Sequence, residues 1–144
     1  MCVSADTGKL FIIGASGAIG QQLIRACIKE RGPFSCIAAI NRSALPRDLA
    51  LNTICETGFD ICNQESVHRA LAKYRDQIYA VWNLAAPLSV DTANDPNSAF
   101  EITVGGMRTV CSVMMELGLR RIFFSGMYCI SYHTITFNHM SLSE

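Results

Sequence analysis

Hydrophobic and polar positions in the first third of the chain change their spacing within a few residues. Lys9–Ile13 is a short apolar run, and residues 17–30 then place Ile19, Leu23 and Cys27 four positions apart. An apolar run of this length predicts a strand, whereas a repeat near 3.6 residues predicts a helix with one buried face. The pattern therefore predicts a strand, a tight turn and a helix.

The rest of the chain repeats this alternation. Gly32 followed by Pro33 predicts the end of the first helix. Asn63 and Asp95 are expected to cap two further helices, one with the apolar positions Val67, Leu71 and Tyr74, the other a long helix that ends near Gly118. The remaining apolar runs predict strands at Cys36–Ile40, within residues 52–56, at residues 78–84 and at residues 122–124.

Strands that alternate with helices predict an α/β fold, because parallel neighbours need right-handed crossovers. We expect a Rossmann-type, doubly wound parallel sheet of about five strands in the order 3-2-1-4-5. A complete domain of this type adds a strand beside the fifth. The sheet is therefore expected to be incomplete there, with an unpaired edge.

Composition and charge remove several classes of function. The chain has 144 residues, of which 50% are hydrophobic, and its 12 basic residues balance 12 acidic ones. This balance disfavours nucleic acid and anionic membranes as partners, and no apolar run approaches the length of a membrane span. The seven cysteines have no metal-ligand spacing. We therefore expect no metal site, no signal peptide and a location in the reducing cytoplasm.

A glycine-rich segment, GASGAIG, joins the first predicted strand to the first predicted helix. In this context Gly14 permits a sharp turn, Gly17 lets the backbone approach a pyrophosphate, and Gly20 allows close packing of helix and strand. Amides at the start of the helix would face the phosphates. The expected contacts of a dinucleotide in this turn are Gly14, Ala15, Ser16, Gly17, Ala18, Ile19 and Gly20.

The GxxGxxG spacing resembles the extended short-chain dehydrogenase/reductase family of NAD-dependent epimerases and dehydratases, which includes short-chain-type L-threonine dehydrogenases. The resemblance implies further cofactor contacts, because one segment is similar to the family's adenine position, another to its ribose position, and Thr103 and Ser125 match further family positions. These contacts are Asp60, Ile61, Leu84, Ala85, Ala86, Thr103 and Ser125. Two positions depart from the family: Asn83 replaces the usual His, and Thr103 replaces the usual Asn.

Residues 84–89, followed by Asp95, Pro96, residues 99–102 and Gly106, fit the threonine-dehydrogenase pattern without a gap. The resemblance therefore implies an L-threonine 3-dehydrogenase-like oxidoreductase as the full-length activity, on a small-molecule substrate. Epimerases share much of this pattern, so a sugar-nucleotide epimerase or dehydratase remains an alternative. A non-catalytic nucleotide-binding module is a third reading. In the family, the helix over residues 96–117 often forms a dimer face, so the resemblance allows a homodimer.

The residues after the second predicted strand bear on the choice between NAD and NADP. An acidic residue about 20 positions past the glycine turn would bind the ribose hydroxyls of NAD. This chain has Asn41, Arg42 and Ser43 there, and an arginine with a hydroxyl suits a phosphate. The residues alone favour NADP, the resemblance implies NAD, and Arg42 also suits a solvated loop. The cofactor prediction is thus NAD or NADP, with Asn41 and Arg42 among its contacts.

The catalytic residues of the family are missing from the sequence. Its members use a Ser or Thr after the fifth strand and a Tyr-x-x-x-Lys pair, whereas this chain has Gly126 at the hydroxyl position and no lysine after Lys73. We therefore predict no catalytic residues and a truncated chain. It divides into a NAD(P)-binding domain over residues 1–126 and a divergent tail over residues 127–144. The tail is either translated intron sequence or part of a genuine short protein.

Overall fold

The strands of the computed structural model, which describes residues 7–87, 93–125 and 134–136, form one sheet. They are β1 (Lys9–Ile13), β2 (Cys36–Ile40), β3 (Ile54–Thr57), β4 (Ile78–Asn83), β5 (Arg121–Phe124) and β6 (Thr134–Thr136). Their order is β3-β2-β1-β4-β5-β6, and the pairs among the first five are all parallel. The predicted α/β class and the order 3-2-1-4-5 are confirmed.

The far edge of the sheet differs from the expectation of an unpaired fifth strand. The short strand β6 runs antiparallel to β5, with Thr136 opposite Arg121 and Thr134 opposite Phe123. The predicted unpaired edge is therefore wrong. An exposed strand edge carries a row of free N–H and C=O groups, and any extended segment that returns to it can pair with them.

The helices lie between the strands and end at the signals that the sequence provides. They are α1 (Ala18–Arg31), α2 (Arg47–Ala50), α3 (Gln64–Lys73), α4 (Pro96–Phe100) and α5 (Gly106–Leu117), with a 3₁₀ turn at Arg75–Gln77. Gly32 follows α1 with φ 83°, and Gly118 follows α5 in the left-handed region with φ 72°. The caps at Asn63 and Asp95 are confirmed, because their side chains accept hydrogen bonds from Ser66 N and Ser98 N.

The predicted long helix is interrupted by a π-helical turn at Glu101–Gly105, which separates α4 from α5. Two features accompany this wider turn. The Thr109 hydroxyl donates to Gly105 O at 3.0 Å. A Cβ on the buried Gly106 would lie 2.9 Å from Ile61 Cγ1, so the helix backbone packs directly against the loop after β3. Paired glycines also weaken a regular helix.

Two apolar layers enclose the sheet. Alternate residues of β1 divide between them: Phe11 and Ile13 face α3 and α5, whereas Ile12 faces α1. The Phe11 ring packs edge-on against Phe59, with 5.8 Å between ring centroids. On β4 and β5, the rings of Trp82 and Phe123 stack with their centroids 4.7 Å apart, which joins the two strands by side-chain contact as well as by backbone pairing.

A polar cluster ties β3 to α3 at the opposite edge. The largely buried Glu56 accepts hydrogen bonds at Oε2 from Lys73 Nζ at 2.7 Å and from Tyr74 OH at 3.0 Å. The hydrogen bond to Glu56 is the main cause that raises the pKa of Lys73 above its usual range. The carboxylate therefore has two partners in place of the water it loses on burial.

Candidate functional site

The glycine turn packs against the end of β4 so closely that only a hydrogen atom fits at Gly14. This residue has φ 77°, and a Cβ there would lie 2.8 Å from the backbone C of Leu84 and the N of Ala85. Leu84 N also donates to Ile13 O at 2.9 Å. The residues after β1 and after β4 are therefore held side by side at the carboxyl edge of the sheet.

Gly20 and Gly17 have different surroundings. A Cβ on the buried Gly20 would lie 2.5 Å from Gly14 O and 2.7 Å from Ala15 Cα, so α1 packs on the turn itself. A Cβ on Gly17 would meet only Gly14 O, at 3.3 Å, and Gly17 is exposed. Gly14 and Gly20 thus fix the shape of the turn, while Gly17 leaves its outer side open to a ligand.

The first turn of α1, which follows Gly17, has backbone amides without intrahelical partners. Gln21 N donates to Gly17 O at 2.9 Å, so the amides of residues 18–20 precede the hydrogen-bond ladder of the helix. Gly17 provides no side-chain cap, and the first turn contains no acidic residue. Free amides at the positive end of a 14-residue helix form a site that attracts anions.

A cleft of about 510 Å³ lies beyond the carboxyl ends of the strands, next to β1. From β1 the strand order runs to β2 and β3 in one direction and to β4 and β5 in the other. A position at which the strand order reverses is where open α/β sheets bind ligands. Ten of the predicted site residues line this cleft: Gly14, Ser16, Gly17, Asn41, Arg42, Asp60, Ile61, Leu84, Ala85 and Ala86.

The other predicted residues of the turn do not line the cleft with their side chains. Ala15 and Gly20 are buried beneath it, and Ala18 and Ile19 lie exposed on α1, with 63% of the Ile19 surface accessible. The lining also includes residues that the sequence did not indicate, namely Ala39, Phe59, Cys62, Ser98 and Ile102. Phe59 and Cys62 flank the predicted pair Asp60 and Ile61. This adjacency is the only feature of the sequence that could have indicated them as lining residues.

The loop that carries Asp60 is fixed by the start of α3. Asp60 N donates to Ser66 Oγ at 3.1 Å, and Ser66 Oγ donates to Gly58 O at 3.3 Å. Asp60 Oδ1 accepts a hydrogen bond from Cys62 N at 3.0 Å. Burial, with a smaller contribution from the Asp60 carboxylate, raises the pKa of the Cys62 thiol. These hydrogen bonds fix this wall of the cleft against the start of α3.

Thr103 and Ser125 lie in a second recess of about 580 Å³, next to the cleft and sharing Ala85, Ala86 and Pro87 with it. Apolar side chains form most of this recess: Pro96, Ala99, Phe100, Val104, Met107 and Phe124. Between the two spaces, Asn83 Oδ1 accepts from Ala85 N at 3.1 Å and fixes the shared wall. An elongated ligand can therefore extend from the polar cleft into the apolar recess.

Several residues named in the sequence analysis lie outside the described residues. They are Leu88, Ser89, Gly126 and the tail over residues 127–133 and 137–144. Among the residues that are described, no three His, Cys, Asp or Glu side chains are arranged to hold a metal ion. None of the helices in those segments is long and apolar enough to cross a membrane.

Solved structures of similar fold include L-threonine dehydrogenases and UDP-glucose 4-epimerases. An L-threonine dehydrogenase from Clostridium difficile is 24% identical with a TM-score of 0.71, over 82% of this chain and 36% of that one. The Thermotoga maritima UDP-glucose 4-epimerase is 20% identical with a TM-score of 0.70, over 82% and 37%. The Thermus thermophilus UDP-glucose 4-epimerase, solved in complex with NAD, is 22% identical with a TM-score of 0.66, over 79% and 36%.

These likenesses show the fold, and this chain spans about a third of the length of those proteins. No curated protein sequence matches the chain. A family model matches residues 10–131, which include the glycine turn, the cleft and the strands from β1 to β5. The chain therefore belongs to the NAD dependent epimerase/dehydratase family.

Proposed function

We propose that the cleft binds NAD or NADP, with the pyrophosphate against the first turn of α1. The observation that carries this proposal is the glycine turn, in which Gly14 and Gly20 have no room for a Cβ while Gly17 is open beside free helix amides. The amides supply donors and the helix dipole supplies positive potential, so this chain's backbone can hold a diphosphate without a lysine.

The two ends of the dinucleotide find different surroundings. Asp60 and Ile61, in the loop after β3, would contact the adenine, and Asn41 and Arg42 would contact its ribose. Ala85 and Ala86 would allow the second ribose to lie against the backbone after β4. The nicotinamide would then enter the recess beside Thr103 and Ser125, against its mainly apolar walls.

The full-length protein is, on this proposal, an L-threonine 3-dehydrogenase-like oxidoreductase. The bound cofactor would accept a hydride from the substrate. The similarity to L-threonine dehydrogenase structures supports this activity, and the comparable similarity to UDP-glucose 4-epimerases keeps epimerisation as the alternative. A nucleotide-binding module without catalysis is the remaining candidate, supported by the composition of the recess.

The chain itself would bind the cofactor without turning substrate over. Among described residues, the lining of the recess has the hydroxyls of Thr103 and Ser125 but no Asp, Glu, His, Lys or Tyr. A hydroxyl with no titrating neighbour does not transfer a proton efficiently near neutral pH. Catalysis in the full-length protein would thus require groups from outside the lining of this recess.

The proposal extends to the setting of the protein. The cysteines in the described segments, Cys27, Cys36, Cys55, Cys62 and Cys111, are all free thiols, which suits the reducing cytoplasm. Phe100 and Val104 are 60% and 49% exposed on the π-helical side of α4, which would suit a homodimer face. Light scattering of the wild type and of a Phe100→Ser, Val104→Ser variant tests that face, since only the wild type should dimerise.

The central experiment is calorimetric titration of residues 1–144 with NAD and with NADP, after circular dichroism has shown a folded chain. Binding of either one supports the proposal, and a folded chain that binds neither contradicts it. The variant Gly17→Ala should stay folded, because Gly17 has φ −70° and its Cβ would meet only Gly14 O, at 3.3 Å, which a small shift of the exposed turn relieves. It should lose about tenfold or more in affinity, because the methyl group keeps the pyrophosphate from the backbone.

Gly105→Ala is the matched control. A Cβ at Gly105 would meet only the end of the flexible Glu101 side chain, and Gly105 does not line the cleft. It should bind as the wild type does. Catalysis is tested by adding L-threonine or UDP-glucose to the chain with its cofactor. Neither the substrate nor the cofactor should change, and turnover of either substrate would disprove the proposed incompetence.

A further inference from the structure

The loop after β2 lies beside the glycine turn and forms one end of the cleft. In the sheet, Ala39 of β2 pairs with Ile13 of β1, the residue before Gly14. The next residues of β2 lead directly into Asn41, Arg42 and Ser43, which all line the cleft and are exposed. A dinucleotide with its pyrophosphate on α1 therefore presents its adenosine ribose to this loop.

The loop offers hydrogen-bond donors and a positive charge but no carboxylate. In this position an Asp or Glu would accept bonds from both ribose hydroxyls of NAD and repel a 2′-phosphate. Asn41 stands there instead, and the chain has no acidic residue from position 41 until Asp48. The Asp48 carboxylate lies 3.6 Å from the guanidinium of Arg25, so it is already paired on the neighbouring helix.

The other carboxylates around Arg42 are also engaged. Arg42 shares the cleft with Asp60, which accepts from Cys62 N, and a smaller recess with Asp95, which accepts from Ser98 N. No ion pair joins Arg42 to either of them, or to any other carboxylate in the described part of the chain. Arg42 therefore lines the cleft without an ion-pair partner among the described residues.

We propose that this cleft selects NADP over NAD, with Arg42 and Ser43 binding the 2′-phosphate and Asn41 taking the place of the acidic residue that would exclude it. This inference rests on the proposed dinucleotide site. A phosphate monoester carries between one and two negative charges, and Arg matches it with a planar pair of donors. Charge-assisted hydrogen bonds of this kind correspond to a preference of about tenfold to a hundredfold.

The test is calorimetric titration of the intact chain with NADP and NAD at matched ionic strength, followed by the same titrations with variants. The variant Arg42→Gln should weaken NADP binding about tenfold and NAD binding much less, because only NADP has the 2′-phosphate. Arg47→Gln is the matched control, because Arg47 is an exposed cation in α2 that does not line the cleft. Asn41→Asp should reverse the preference, since its carboxylate repels the 2′-phosphate and accepts from the ribose hydroxyls.

Added salt distinguishes a charge-based preference from a difference in shape. The affinity for NADP should fall more steeply with salt than the affinity for NAD, and Arg42→Gln should remove this difference. Binding of NAD that is as tight as or tighter than that of NADP overturns the selectivity while the proposed dinucleotide site stands. Equal losses in Arg42→Gln and Arg47→Gln also overturn it. A folded chain that binds neither dinucleotide overturns both.

Discussion

The half of the sheet around β2 and β3, here called the polar side, and the half around β4 and β5, the apolar side, are stabilised by different interactions. On the side of β2 and β3, polar groups are fixed by specific partners: Glu56 by Lys73 and Tyr74, and the Asp60 loop by Ser66. On the side of β4 and β5, the recess is mainly apolar, and Phe100 stands 60% exposed at its edge. The glycine turn lies between the two sides and contacts the end of β4 through backbone atoms.

This difference shows which part of the site the chain builds by itself. Every residue that lines the cleft lies within residues 13–102, from the end of β1 to the π-helical turn, and residues 84–87 after β4 complete its wall. The apolar side offers hydrophobic surface and two hydroxyls. The cleft and the recess therefore have different linings, and the variants below test how independent the two sides are.

The largest effect is expected from Gly20→Ala, which acts where both sides meet. The new Cβ would lie 2.5 Å from Gly14 O and 2.7 Å from Ala15 Cα, so α1 must move away from the turn. We expect a loss of about 2–4 kcal/mol in unfolding free energy, since overpacking exceeds the gain in helix propensity. Urea denaturation measures it, and a loss no greater than that of Gly105→Ala would contradict the packing argument.

The next effect is expected from Asn83→Leu, which removes the link between the cleft and the recess. Ala85 N then loses its acceptor in a partly buried place, which costs about 1–3 kcal/mol. The affinity for dinucleotide should fall as well, because residues 84–86 form the shared wall. Asn52→Leu is the control, since Asn52 Nδ2 donates to Asp48 O at an exposed site. Equal losses in the two variants would show that the link is unimportant.

A smaller effect separates the caps on the two sides. Asn63→Ala removes the acceptor for Ser66 N, next to the loop of Asp60, and should cost about 1 kcal/mol in thermal unfolding measurements. Asp95→Ala removes the corresponding acceptor at the five-residue helix α4, and its effect should be smaller because the hydrogen bond of Asp95 is exposed whereas that of Asn63 is partly buried. A larger loss from Asp95→Ala would reverse the comparison.

The smallest effect is a pH dependence on the polar side. The folded state raises the pKa of Lys73 through its hydrogen bond to Glu56, so it binds this proton more tightly than the unfolded chain does. The resulting stabilisation is complete below about pH 10.4, the ordinary lysine value, and is lost as the pH rises through the folded pKa. The stability difference between wild type and Lys73→Met should therefore shrink at alkaline pH, in denaturation curves recorded across that range.

Lys29→Met provides the comparison for that experiment, because Lys29 is an exposed lysine of α1. If the stability difference between wild type and Lys73→Met stays constant as the pH rises, the charge of Lys73 does not stabilise the fold through its contact with Glu56.

Local signals predicted most of the polar side. The bounds of β1 and β2 agree with the apolar runs, and the caps at Asn63 and Asp95 follow from residue types that accept an amide bond. Most of the cleft could also be named from the sequence, because a glycine turn between a strand and a helix determines where the neighbouring strand ends must meet. The strand bounds and the caps depend on residues close together along the chain, and the cleft follows from the order of the parallel strands.

Contacts between distant segments could not be predicted in this way. The antiparallel pairing of β6 on β5 arises from an edge that any extended segment can complete. The π-helical turn appears where Gly106 packs on Ile61, which is 45 positions earlier in the chain. Ser98 enters the cleft lining because α4 lies across it. In each case the sequence shows the residue, but packing decides its neighbours.

The stacked pair of Trp82 and Phe123 gives the protein a built-in optical reporter. Trp82 is the only tryptophan, and its ring lies against β5, two residues before the Leu84 that lines the cleft. Its fluorescence and near-ultraviolet dichroism therefore originate from one place, the contact between the fourth and fifth strands. A spectroscopic titration can follow, with one chromophore and no label, whether that contact stays closed while the cleft beside it fills.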